Sequence, residues 1–94
     1  PCEIVGGDGF DVLDGKAKII DCDGKDVTKE YLSGAKKAVD IAVKSGVQEA
    51  ILKSGSPTCG GGTIYDGSFL GKKTPGYGIF AAMLKKNGIE IKEI

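Results

Sequence analysis

Apolar residues recur at helical spacing through the middle of the chain. Leu32, Ala35, Val39, Ala42 and Val43 fall on one face, and Lys36, Lys37, Asp40 and Lys44 lie largely off it. Thr28 suits the N-cap of this helix, Glu30 its first turn, and Gly46 its stop after Lys44. A second helix is predicted over 78–87. It comes after Pro75-Gly76, presents Ile79, Phe80, Met83 and Leu84 on one face, and ends at Asn87-Gly88. Short strands are predicted at 16–21, from Ala17, Ile19 and Ile20, and at 47–52, centred on Ala50-Ile51-Leu52. A third is predicted at 89–91.

The intervening segments are rich in glycine. Residues 1–15 carry Gly6, Gly7 and Gly9 with four acids and read as an irregular loop. Residues 21–26 form a turn with Asp23-Gly24 at its tip. Residues 53–62 are a long loop. Residues 63–76 read as loop or a short hairpin around Tyr65-Asp66-Gly67. The order strand, helix, strand, long loop, helix, strand predicts an α/β fold. The expected form is a small three-layer domain of parallel βαβ units, a single unit over 1–94 with a long Gly-rich Cys loop. Such folds bind ligands at the C-terminal edge of their strands, where the loop over 54–62 leaves its strand.

Composition narrows the chemistry. The chain has 13 basic and 13 acidic residues, so it has no general attraction for nucleic acid or an anionic membrane. No apolar run approaches the ~20 residues that span a bilayer. The first residue is Pro1, which reads as a processed product or a fragment. Cysteines stand only at positions 2, 22 and 59, an odd number at irregular spacing. Free thiols of this kind point to a reducing, cytoplasmic compartment. There is no histidine, which excludes imidazole-based triads, Cys-His dyads and His-ligated zinc within the chain.

The segment 54–69, SGSPTCGGGTIYDGSF, concentrates the remaining candidates. Ser56 precedes Pro57 and is pushed towards an extended conformation. Cys59 stands before Gly60, Gly61 and Gly62, where the backbone can approach a ligand and aim several N–H groups at one point. A thiol in that setting suits a nucleophile or a metal or cluster ligand. The plainer readings are a small apolar Cys59, a Ser56 hydroxyl bonded to its own loop backbone, and an Asp66 that forms a turn. The stretch 67–74 has the wrong glycine spacing for a phosphate loop. Lys85 and Lys86 complement a helix dipole.

Ser56-Pro-Thr-Cys-Gly60, Ile64-Tyr-Asp-Gly-Ser-Phe69, Pro75-Gly-Tyr-Gly78 and Leu84-Lys-Lys-Asn-Gly-Ile89 together resemble the thiouracil desulfidase-like family. Glu3-Ile-Val-Gly-Gly7, Ala17–Asp21 and Gly24–Thr28 fit as well, so the resemblance covers nearly the whole chain. It implies a [4Fe–4S] cluster on three cysteines, with a free iron site for the sulfur of a thiolated pyrimidine such as 2-thiouracil. By motif, Cys59 would be a cluster ligand and Cys2 a second one. Ser56 and Glu3 would handle protons and water, and Thr58, Gly60 and Gly61 would form the substrate loop. Compared with the family pattern, an N-terminal segment with a further cysteine is absent, and the usual Cys-Pro-Glu reads Pro1-Cys2-Glu3. Cys22 lies in an acidic turn that repels a negatively charged thiolate cluster.

The competing expectation is a non-catalytic family remnant, or one half of a split protein, that binds a small molecule or a partner. A sheet lacking one strand would expose an edge that invites dimerisation.

Overall fold

The computed structural model describes residues 2–94. Strand β1 (Cys2–Val5) pairs antiparallel with β2 (Lys18–Asp21), and the short helix α1 (Gly9–Leu13) lies between them in sequence. Helix α2 (Thr28–Lys44) leads to β3 (Glu49–Leu52). Strands β4 (Gly61–Tyr65) and β5 (Lys73–Tyr77) form an antiparallel hairpin. Helix α3 (Ile79–Lys86) then carries the chain to β6 (Glu90–Glu93), which pairs parallel with β3. The architecture is mixed α/β. The expected parallel crossover is present at β3–β6, while the two other strand pairs are antiparallel. A single parallel bridge, Gly55 to Ile64, ties the chain just after β3 to β4.

Residues 2–15 are not the expected irregular loop, and Pro1 lies outside the described residues. Cys2–Val5 pairs with the strand foreseen at 16–21, and the acids that suggested a loop build a helix cap. The Asp8 carboxylate accepts from the backbone N–H of Phe10 and Asp11, and Asp11 accepts in return from Asp8 N–H at 2.9 Å. This reciprocal capping box satisfies donors that a helix start leaves open.

Thr28 is not the cap of α2. Val27 occupies that position, and the Thr28 hydroxyl oxygen instead accepts from Ile19 N–H at 2.8 Å, fastening α2 to β2. Asp26 serves the helix start by accepting from Thr28 N–H at 2.9 Å. At the other end Gly46 adopts φ +71°, the left-handed stop expected of it.

The core forms where the two long helices meet the strands. Ile4, Ile19, Ile64, Ile79 and Leu84 are the largest fully buried side chains. Ala35 and Val39 carry the α2 stripe inward, while Val43 is exposed. On α3 the small Ala81 and Ala82 are fully enclosed beside Ile79 and Leu84, so this helix is buried over more of its circumference than the apolar face alone suggested. No helix among the described residues is long and apolar enough to cross a membrane.

Candidate functional site

Helix α3 positions the Cys loop. The helix starts at Gly78 with no side-chain cap. Its first donors are met by the loop backbone: Ile79 N–H bonds to Pro57 O at 2.8 Å and Phe80 N–H to Thr58 O at 2.9 Å. Gly78 N–H bonds to Gly60 O at 2.9 Å. The loop is therefore the cap of α3, and the helix start holds it in shape.

Inside the loop, the Ser56 oxygen accepts from Thr58 N–H at 3.1 Å and Cys59 N–H at 3.0 Å. Gly60 N–H closes back on Ser56 O at 2.9 Å. The turn role weighed for Ser56 is thus realised. With both N–H donors on its oxygen, the Ser56 hydroxyl keeps its own proton to donate.

Gly60 and Gly61 do not form an open nest. Gly60 N–H is used within the loop, and Gly61 and Gly62 belong to β4, where they pair with Tyr77 and Gly76. The reason for glycine here is close approach: a Cβ on Gly60 would meet Ile64 Cγ2 at 2.5 Å and Ser56 O at 2.8 Å.

A pocket of about 630 Å³ opens beside this loop. Its walls bring together Cys2 and Glu3 from β1, Tyr31 from α2, Ser56 and Thr58 from the loop, and Tyr65 from β4. Four predicted site residues, Cys2, Glu3, Ser56 and Thr58, therefore share one cavity. Cys59, Gly60 and Gly61 are not among its lining residues.

Two further pocket residues, Tyr31 and Tyr65, are not among the predicted site residues. Tyr31 precedes the apolar stripe of α2, and its hydroxyl donates to Cys2 Sγ at 3.2 Å. That hydrogen bond, with burial second, holds the Tyr31 phenol above its ordinary value of 10.0. Tyr65 belongs to the matched Ile-Tyr-Asp-Gly run, and its ring lies 3.1 Å from where a Gly55 Cβ would stand. Lys73 Nζ sits 5.6 Å from the centroid of the same ring.

Glu3 divides its carboxylate. Oε1 accepts from Gly67 N–H at 3.0 Å and from Phe69 N–H at 3.3 Å, while Oε2 has no partner among the described residues. Asp66 is a turn former, accepting from Ser68 N–H at 2.9 Å.

The cysteines do not assemble a cluster site. Among the described residues no group of three His, Cys, Asp or Glu side chains stands close enough to hold a metal. Cys22 is exposed on its turn, and Cys59 is half-buried in the loop and does not line the cavity that Cys2 lines. A three-thiolate [4Fe–4S] site does not fit these residues as they stand.

The fold and the cavity define a small α/β protein whose pocket combines a thiol, a carboxylate and a serine hydroxyl. Residues 1–93 match the 2-thiouracil desulfurase family, and the chain belongs to that family. It is 48% identical over 91 residues to the uncharacterized protein YbbK of Bacillus subtilis (strain 168), covering 97% of this chain and 60% of that protein. Among solved structures it is similar to the [4Fe-4S]-dependent thiouracil desulfidase TudS, with a TM-score of 0.76 and 38% identity over 81% of this chain and 50% of that one. The chain thus spans about half to three-fifths of the length of these relatives.

Proposed function

We propose that this chain provides the substrate-binding face of a desulfidase acting on a thiolated pyrimidine such as 2-thiouracil. The observation that carries this reading is the convergence of Glu3 and Ser56, from distant parts of the chain, on one pocket in a member of this family. The overall change replaces a thiocarbonyl sulfur by the oxygen of water and releases hydrogen sulfide, with no net oxidation. Ser56, its oxygen already occupied by two N–H donors, offers its proton to the heteroatom of the thiocarbonyl carbon. Glu3 Oε2 is the acceptor for the proton that the attacking water gives up. The aromatic and proline surfaces of Tyr31, Tyr65 and Pro57 give a flat ring something to pack on. No iron chemistry is assigned to this chain, because its described cysteines do not form the three-thiolate set. The test is sulfide release from 2-thiouracil after anaerobic reconstitution, with iron and sulfide quantified in the same sample. Release that is lost in Ser56→Ala and Glu3→Gln supports the reading. A chain that neither binds 2-thiouracil nor releases sulfide overturns it.

A second reading, a binding half that needs a partner, is favoured by the β3 edge. Strand β3 has β6 on one side, only the single Gly55–Ile64 bridge ties the chain just beyond it to β4, and Ile51 is 58% exposed, with Ile41, Val43 and Val47 also exposed. An open edge next to apolar surface favours strand addition or self-association. Light scattering that finds a concentration-independent monomer counts against it.

A further inference from the structure

The loop 66–72, which joins β4 to β5, forms part of the pocket rim through Gly71. It is wired at its base, where Asp66 N–H bonds to Lys72 O at 2.9 Å, and it carries the exposed apolar pair Phe69 and Leu70. Two features show that the loop is held down and does not merely rest in place. Gly67, at φ +87°, sits so close to β1 that a Cβ there would meet Ile4 O at 2.5 Å. Phe69 adopts φ +60°, a left-handed conformation that strains a non-glycine residue. Something must offset that strain. The groups placed to do so are the two N–H donors of Gly67 and Phe69, both aimed at Glu3 Oε1.

We propose that Glu3 is a positioning residue that latches the 66–72 loop onto β1, so that the rim of the pocket and the pocket carboxylate move as one unit. One oxygen holds the loop, and the same two bonds fix the rotation of the carboxylate at the cavity wall. Charge-assisted bonds to two backbone donors are stronger than neutral ones, which is why a carboxylate suits this seat. The latch stands on geometry alone and does not depend on the reaction proposed for the pocket.

The experiment is amide hydrogen exchange by NMR on the full chain without iron or ligand, comparing the wild type with Glu3→Ala and Glu3→Gln. The expected result for Glu3→Ala is a loss of protection of about tenfold or more at Gly67 and Phe69, the scale of a lost charge-assisted bond. Protection at the buried Ile64 and Ile79 should be unchanged. Glu3→Gln keeps an acceptor oxygen without the charge, so it should lose protection at the same two amides, but less than Glu3→Ala. Unchanged exchange at Gly67 and Phe69 in Glu3→Ala overturns the latch. Where Glu3→Ala loosens the whole chain, Glu3→Gln decides: faster exchange confined to Gly67 and Phe69 with the core intact supports the latch, and exchange at both amides identical to the wild type overturns it. Because the readout needs no substrate, a chain that fails to act on 2-thiouracil still tests it.

Discussion

The Tyr31 hydroxyl and the Cys2 sulfur lie 3.2 Å apart, 29 positions away in sequence, and their hydrogen bond joins α2 to β1 at one wall of the pocket. Sulfur is a weak acceptor, so the bond contributes little to stability and more to where the sulfur points. Tyr31→Phe should therefore cost only about 0.5 kcal/mol in denaturant unfolding. The same change removes the donor that occupies a lone pair on Cys2. The thiolate is the form that alkylates and the donor stabilises it, so reaction with iodoacetamide should become slower at Cys2 and stay constant at exposed Cys22, measured by peptide mass spectrometry. An equal rate at Cys2 in both proteins would show that the phenol does not govern that sulfur.

Ser56 holds the Cys loop through two backbone donors, and that loop in turn caps α3. Ser56→Ala leaves Thr58 and Cys59 N–H without their acceptor while Gly60 N–H keeps its bond to the residue 56 carbonyl. The expected cost is roughly 1–2 kcal/mol, since the site is partly open to water that can replace the hydroxyl. Ser56→Thr should restore the stability by keeping the oxygen. Chemical denaturation of the three proteins checks this, and a stable Ser56→Ala chain would mean that the α3 start alone shapes the loop.

Much of this arrangement is legible in the chain, and the remainder is hidden for identifiable causes. The α2 stripe of Ala35 and Val39 and the left-handed stop at Gly46 arise from local periodicity and steric rules, which act within a few residues. The antiparallel pairing of β1 with β2 depends on a contact that no local pattern announces, so the acids at 8 and 11 read as loop when they form a capping box. The Asp-x-x-Asp spacing ahead of Val12 is the available signal. Thr28 sits one residue past the cap because its hydroxyl is drawn to Ile19 N–H on another element. At the site, the motifs mark Ser56 and Glu3. That Cys59 does not line the cavity is a matter of tertiary placement, and so is the hydrogen bonding of Glu3 to the 66–72 loop.

Two exposed carboxylates give the chain an acid-side dependence. Asp66 is held below its ordinary value of 3.8 by hydrogen bonds from the Ser68 side chain and backbone, with a smaller contribution from Lys72. Asp26 is held below the same value by Thr28, again side chain before backbone, and less by Lys18. A carboxylate whose folded value is lowered stabilises the fold fully above its unfolded value. That contribution is lost as pH falls through the folded value. The loss therefore sets in as pH falls towards 3.8, where the unfolded carboxylates begin to protonate, and is complete below the lowered folded values. NMR titration should show the Ser68 and Thr28 amide signals moving in that acid window. Midpoints at or above 3.8 would mean that the turns do not hold their carboxylates ionised.

Gly78 is where the Cys loop meets the start of α3, and its need for glycine is one of space. Its φ of −68° is open to any residue, yet a Cβ there would run into Thr58 O and stand 2.8 Å from Gly60 N, both backbone atoms that cannot swing aside. The neighbouring α1 presses from the other side, since a Cβ on Gly9 would collide with Gly78 O. Gly78→Ala should therefore force the loop away from the helix and break the bond from Gly78 N–H to Gly60 O. The expected cost is about 1–3 kcal/mol, the range for an extra methyl in a closed site. Gly24→Ala is the contrast, because a Cβ at Gly24 meets nothing within 4 Å and its only penalty comes from φ +82°. Urea unfolding of both variants separates crowding from backbone strain. A Gly78→Ala chain no less stable than Gly24→Ala would mean that the loop and helix have room to part, and the Cys loop would then not be held by the α3 start.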